Sequence, residues 1–297
     1  MTRPATQRST LAAIIVVVVI AVASITAPLF GAGVPAAIGD VIGGRLLAPL
    51  TRDPGGALHL LGTDRLGRDL LARTLLAGRV SLAVGIGGAL LAGALGAGIG
   101  AVAGWRRGAA DRMLMALTDA LLAIPRLVLL LLCVALWEPS LRTVVIVLAA
   151  TGWMGIARLT RAEVVAARGR PYVDAARALG ADSNRTLWRH VLPNALGPAL
   201  VSTALGVGSA IMLEAGLSFL GLGVQPPAAS WGNMIAAGRD VVVSAPWVSL
   251  VPGIAVVIVT VCATVIGDAA GDRLAGRRPV TAQRTRIVTT SRGPAVN

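Results

Sequence analysis

The chain has 297 residues, 55% of them hydrophobic and 14% charged, with 27 basic against 14 acidic side chains and a formal net charge of +13. A soluble domain carries about 25% charged residues, a disordered chain is poor in apolar ones, and two cysteines cannot staple a disulfide scaffold. What remains is a membrane protein whose positive charge, all of it arginine because the chain has no lysine, must sit outside its apolar runs.

A helix that crosses a membrane needs about 20 mostly apolar residues, and six runs qualify in chain order. The first is Leu11 to Phe30, behind a short N-terminus of residues 1–10. Arg3, Arg8 and Ala21-Val22-Ala23 resemble parts of a signal peptide. A signal's apolar region is only about 7–15 residues, so a retained first helix is expected. Residues 31–79 then make a long loop. The second run, Val80 to Gly104, carries Gly96, Gly100 and Gly104 at four-residue spacing, with Gly85, Ala89, Gly93 and Ala97 in the same rhythm. Small residues let helices approach closely in lipid, and such a stripe serves either packing inside one bundle or a subunit interface.

The third run, Met113 to Trp137, holds Asp119 and Arg126. Seven residues apart, they share a helix face, and Pro125 between them is expected to kink the helix. Ionisable groups within a membrane face the bundle interior or water. Both are therefore candidate pathway or gating residues, the plainer reading of Asp119 being a wet position near the inner interface. The fourth run is Thr143 to Ala157, the fifth Ala195 to Leu220, and the sixth Trp247 to Gly267. The fifth contains only Glu214 as a charge, near its outer end, readable as a solvated interfacial carboxylate or as a pathway or gating group. Residues 80–267 would form a five-helix core, and 268–297 a basic tail.

Arginine placement sets the orientation. The N-terminus, residues 104–112, residues 158–193 and the tail hold 18 arginines, whereas residues 31–79, 138–142 and 221–246 hold 8. Cytoplasmic loops carry the excess of basic residues, so both termini are expected inside. The charge then marks topology and needs no nucleic-acid partner, which would call for aromatic platforms among the arginines. The expected fold class is an all-α integral membrane protein with six transmembrane helices, N-in and C-in, in contact with membrane lipid. A phosphate-binding P-loop needs a lysine, and the two histidines, His59 and His190, are too far apart for a local metal motif. No catalytic and no metal-binding residues are therefore assigned.

The loop 158–193 is patterned rather than featureless. Pro171 suits the first position of a helix that Gly180 would terminate. Ser183 suits the N-cap of a second helix through Val191, and Pro193 would end it. A helix, a glycine turn and a second helix make a rigid elbow fit to dock on another protein, with Ala175 and Ala176 allowing close approach and Arg177 and Arg185 charged at the rim. The ordinary alternative is an amphipathic hairpin lying on the membrane surface.

Asp174-Ala175-Ala176-Arg177-Ala178-Leu179-Gly180, followed later by Leu192-Pro193, resembles the EAA loop of ABC importer permeases, with Asp174 where the family has Glu. The stretch from His59 to Asp69, which includes Asp64, Arg65 and Arg68, is similar to the outer-loop signature of the dipeptide/oligopeptide/nickel permease family, C-type subunit. Leu217 to Pro227, then Ser230-Trp231-Gly232, resembles that family's segment after the fifth span, and Asp111-Arg112 with Asp119 to Pro125 fits its third. The resemblance covers about residues 59–270. It departs near Asp272-Arg273, where the family often has Asp-Pro, and the tail after Ala275 matches nothing and is expected to be disordered.

The resemblance implies a MetI-like ABC importer permease core in a bacterial cell membrane. It implies four partners: a homologous B-type permease in a heterodimer, two cytoplasmic ATPase subunits, and an extracytoplasmic substrate-binding protein. ATP and Mg would be bound by the ATPases, with no cofactor on this chain. Asp174, Ala175, Ala176, Arg177, Gly180, Leu192 and Pro193 would couple the permease to an ATPase. His59, Asp64, Arg65, Arg68 and Asp69 would lie where the binding protein docks, unless that stretch is a structural staple on the outer surface. Peptide is the implied cargo, with nickel, glutathione or another small solute as alternatives. A gradient-driven secondary transporter would need repeats and broken helices with mid-membrane ion sites, and a scaffolding adaptor would leave the outer signature idle.

Overall fold

In the computed structural model, which describes residues 3–30, 43–138, 140–225 and 228–274, every long apolar run is helical. Lipid offers the backbone no hydrogen bonds, so N–H and C=O groups must pair within the segment. Helix α1 spans Arg3–Thr26, α2 Leu70–Arg106, α3 Gly108–Leu122, α4 Arg126–Ala135 and α5 Leu141–Arg168. Three short helices follow, α6 (Pro171–Ala178), α7 (Ser183–Thr186) and α8 (Leu192–Ala195), then α9 (Gly197–Phe219), α10 (Trp231–Gly238) and α11 (Trp247–Leu274). Two short strands, β1 (Thr51–Arg52) and β2 (Leu58–His59), pair antiparallel before α2. Among the described residues, five helices are long and apolar enough to cross a membrane, and α3 with α4 supplies a sixth crossing if the pair is one broken span.

Three sequence expectations are corrected. The second and fourth spans are longer than their apolar runs. Helix α2 has 37 residues, about 55 Å at 1.5 Å per residue, and α5 continues beyond Ala157 to Arg168. Asp69 accepts the Ala72 N–H at 2.8 Å and fixes where α2 begins. The third span is not a kinked helix but two helices bent by 91°. Pro125, with no N–H to give, is the N-cap of α4, so Asp119 and Arg126 do not share a face. The elbow's second helix starts one residue earlier than expected, because Asp182 is its N-cap and accepts the Arg185 N–H at 2.7 Å. It does not stop at Pro193 but passes through a π turn, Leu187–Val191, into α8, where Pro193 sits in the first turn and needs no donor.

The glycine stripe is used within the chain. A Cβ on Gly96 would stand 2.5 Å from the Trp153 carbonyl oxygen, and one on Gly104 2.9 Å from that of Arg161; Gly100 abuts Ala157. Gly85 and Gly93 face Ile211 and Thr203 of α9 in the same way. Helices α2, α5 and α9 thus form the packed centre, and α1 and α11 flank it.

The C-terminal ends of α2 and α5, the elbow and the start of α9 gather at one end around a core of Trp105, Val164, Val173, Leu187 and Val191. At the other end the start of α2, α10 and the start of α11 meet around Leu70, Trp231, Met234 and Val248. Residues 31–42 of the long loop, Pro226 and Pro227, and the tail expected to be disordered lie outside the described residues.

Candidate functional site

At the arginine-rich end the elbow is built from its turns outward. Helix α6 begins at Pro171 and ends in a glycine turn, with Gly180 at φ +84°. The Gly180 N–H donates to Arg177 O at 2.9 Å and the Ala181 N–H to Ala176 O at 3.1 Å, the paired closure that wants glycine in a left-handed conformation. No atom lies within 4 Å of where a Cβ on Gly180 would stand, so backbone conformation, not space, selects glycine there. Val173, Leu187, Val191 and Leu192 are buried in the core that the elbow shares with the ends of α2 and α5, and Ala176 is buried as well. That corrects the expectation that Ala176 opens the surface to a partner: Ala176 and Leu192 hold the elbow together, while Asp174, Ala175, Arg177, Gly180 and Pro193 are exposed. Asp174 and Arg177 form an exposed pair at 3.5 Å. Leu179 and Trp188, 89% and 67% exposed, stand out as apolar tips.

The anchor of the elbow is a residue that sequence reasoning passed over. Trp105, at the end of α2, is buried; its indole N–H donates to Ser183 Oγ at 2.9 Å. The guanidinium carbons of Arg168 and Arg177 lie 5.1 and 5.5 Å from its ring centre, within cation–π range. Arg168 also donates to Trp105 O at 2.5 Å. One indole thus joins α2, α5, α6 and α7. Its sequence signal was a lone aromatic followed by Arg106-Arg107 where an apolar run ends.

Within the helical centre the three ionisable candidates separate. Asp119 pairs with Arg158 at 2.9 Å, both about half exposed. Arg126 turns inward and lines a cavity of about 260 Å³ among α2, α4, α5 and α9, together with Gly152, Gly155, Ser202, Thr203, Gly206 and Ser209. Glu214 is fully buried. Its carboxylate accepts from Ser218 Oγ at 2.7 Å and from Ser81 Oγ at 3.4 Å, and Ser81 Oγ accepts the Trp231 N–H at 3.0 Å. Glu214 is therefore neither solvated nor among the residues lining that cavity; it ties α9 to α2 and α10.

At the opposite end the sequence-singled residues meet each other. His59 Nδ1 lies 2.8 Å from Asp69, whose other oxygen caps α2, and its Nε2 lies 3.5 Å from Asp53. The Ala57 N–H, donating to Asp53 at 2.8 Å, holds the Asp53 carboxyl below its ordinary range. Asp64 is buried; it accepts the Leu66 and Arg68 N–H groups at 2.8 and 3.0 Å and the guanidinium groups of Arg68 and Arg73. Arg65 alone reaches across, to Asp240 at 3.1 Å. The geometry of His59, Asp64, Arg68 and Asp69 is that of a staple closing on the start of α2, and Arg65 sits at its rim.

Comparison with known proteins follows the same lines. Residues 96–278 match the family described as binding-protein-dependent transport system inner membrane component. The chain is 40% identical over 274 residues to a Brucella suis biovar 1 protein named as a peptide transport system permease, covering 92% of this chain and 90% of that one. It is 38% identical to the oligopeptide transport system permease protein OppC of Bacillus subtilis, over 73% and 71% of the two chains. To the di/tripeptide transport system permease protein DppC of Pseudomonas aeruginosa it is 39% identical, over 77% and 76%. A solved chain of the MetNI methionine ABC transporter in inward-facing conformations shares the fold at a TM-score of 0.54 and 18% identity, over 66% of this chain and 93% of that one.

Proposed function

The chain belongs to the family of binding-protein-dependent transport system inner membrane components, and on that premise we propose that it forms one half of the membrane pathway of an ATP-driven peptide importer. The peptide-transport names of its relatives support the cargo. A homologous B-type permease supplies the other half, two cytoplasmic ATPases bind ATP and Mg, and an outer binding protein delivers the peptide. This chain hydrolyses nothing; it converts the motion of an ATPase into motion of its helices.

The observation that supports this reading most is the elbow. A coupling element must transmit displacement without bending, since a loose loop would dissipate it. Residues 171–195 are closed by a glycine turn, cored by Val173, Leu187 and Val191, and clamped to α2 and α5 through Trp105. In this reading Asp174, Ala175, Arg177 and Pro193, with the tips Leu179 and Trp188, enter a cleft of the ATPase. Ala176, Gly180 and Leu192 keep the inserted piece rigid. The arginine bias places the elbow in the cytoplasm and the His59–Asp69 staple outside.

The test is reconstitution of the four membrane and ATPase subunits with the binding protein. Copurification of both ATPases and ATP-dependent uptake of di- or oligopeptides are expected. A complex that binds ATPases yet imports no peptide would remove the cargo; a chain that brings down no ATPase would remove the coupling role.

A further inference from the structure

Arg126 stands out among the half-buried charges because, among the described residues, no acidic group answers it. Its Nε is buried without a hydrogen-bond partner, and its one contact is a long Nη2 donation, 3.5 Å, to the Leu148 carbonyl. Among the described residues it forms no ion pair. Asp119, its sequence neighbour, is taken by Arg158. The chain has made room for the guanidinium: a Cβ on Gly152 would stand 2.9 Å from Nη2 and 3.0 Å from Ala92. The space beyond carries hydroxyls, those of Ser202, Thr203 and Ser209, among small and apolar residues. A guanidinium kept inside a membrane helix bundle without a counter-charge is costly. It also offers a planar fork of donors matched to a carboxylate. Its place in the first turn of α4 adds the positive end of that helix.

We propose that Arg126 is a carboxylate-recognition point in the translocation pathway: it pairs transiently with a carboxylate of the passing peptide, and the serine and threonine hydroxyls of α9 line the rest of that stop. The inference rests on the peptide-importer reading. The shared chemistry is a carboxylate, which a peptide carries at its C-terminus or on an acidic side chain. Recognition without a protein counter-ion suits a transport site. The solute is held while inside and released once the cavity opens to water, where hydration competes with the pair.

The experiment compares uptake of three peptides of equal length by the reconstituted complex. One has a free C-terminus, one is amidated and carries no carboxylate, and one is amidated with a single glutamate. Each rate for Arg126→Gln is divided by the wild-type rate, so discrimination by the unchanged binding protein cancels. The ratio is expected to fall about tenfold for carboxylate-bearing peptides and to stay within about twofold for the carboxylate-free one; which carboxylate responds identifies the source. Arg126→Lys, which keeps charge but not the fork, should restore part of the loss. If Arg126→Gln fails to assemble, Gly152→Ala, which crowds the guanidinium, should give the same selective fall. An equal fall for all three peptides would mean that Arg126 pairs with the partner permease and would overturn the proposal, as would no change in any. Failure of the wild-type complex to import any peptide would instead overturn the cargo reading.

Discussion

The two ends of the molecule solve the same problem, fixing a polypeptide excursion against a helix bundle, by opposite chemistry. The elbow at the arginine-rich end is held by apolar burial and one indole, and it leaves Leu179 and Trp188 exposed. The cap at the other end, beside the apolar core of Leu70, Trp231 and Met234, is fixed by polar satisfaction. Asp64 takes two N–H groups and two guanidinium groups, Thr63 Oγ donates to Gly44 O at 2.6 Å while accepting the Leu47 N–H at 2.8 Å, and Ser230 with Asn233 forms a reciprocal cap on α10. A region with its polar groups spent internally resists movement and offers little to a partner. A region cored inside and apolar at its tips can be gripped and moved as a unit. Substitutions at the elbow should therefore uncouple transport, and substitutions at the cap should first cost stability.

The largest effect is expected at Trp105. Truncating a buried tryptophan costs about 3–5 kcal/mol, and here it also removes both cation–π contacts and the bond to Ser183. Trp105→Ala should release the elbow from α2, seen as faster hydrogen exchange across 171–195, and peptide uptake should be lost while insertion in the membrane persists. Protection of the elbow unchanged from wild type would show that the apolar core alone holds it.

Next comes Gly180. A branched residue forced to φ +84° meets a strain of about 1–3 kcal/mol, with no clash added because the space is open. Gly180→Val or Gly180→Asp should leave the complex assembled but break the link between ATP hydrolysis and uptake. Normal uptake per ATP would show that the turn's shape does not matter to coupling.

Glu214 should give a smaller effect on the other side of the comparison. Glu214→Gln replaces one acceptor oxygen by a donor, so the hydroxyl of Ser218 or Ser81 loses its partner. A buried polar group left unmatched costs about 1–3 kcal/mol. The assembled complex should melt earlier, with uptake at moderate temperature largely kept. Selective loss of uptake without loss of stability would return Glu214 to the gating role that the sequence suggested.

Much of this contrast was readable in the residues. Pro171 and Gly180 punctuate helices through local chemistry, and the glycine spacing in α2 announced close packing whatever its partner. What escaped were partnerships across the chain. Trp105 meets Ser183 from 78 residues away and Glu214 meets Ser81 from 133, distances at which periodicity says nothing. Pro125 signalled an interruption, but not that α4 would turn 91° from α3 and join its Leu130 and Val134 to a core with Val144 and Leu148 of α5. A kink that was expected to leave Asp119 and Arg126 on one face instead sent them to different surroundings.

Arg65 offers the smallest structural effect and for that reason the cleanest reading of the outer rim. Its pair with Asp240 is 3.1 Å long, with the two side chains 35% and 60% exposed, and exposed pairs contribute about 0–1 kcal/mol. Arg65→Ala should leave the melting temperature of the complex nearly unchanged, whereas Arg68→Ala, which removes a guanidinium from buried Asp64, should lower it. If the rim receives the binding protein, Arg65→Ala will raise the concentration of loaded binding protein needed for half-maximal uptake, more so at low salt, where surface charges are less screened. Unchanged binding-protein dependence would assign Arg65, like His59, Asp64 and Asp69, to the staple alone, and the contrast between a gripped end and a self-contained end would then hold without exception on the outer side.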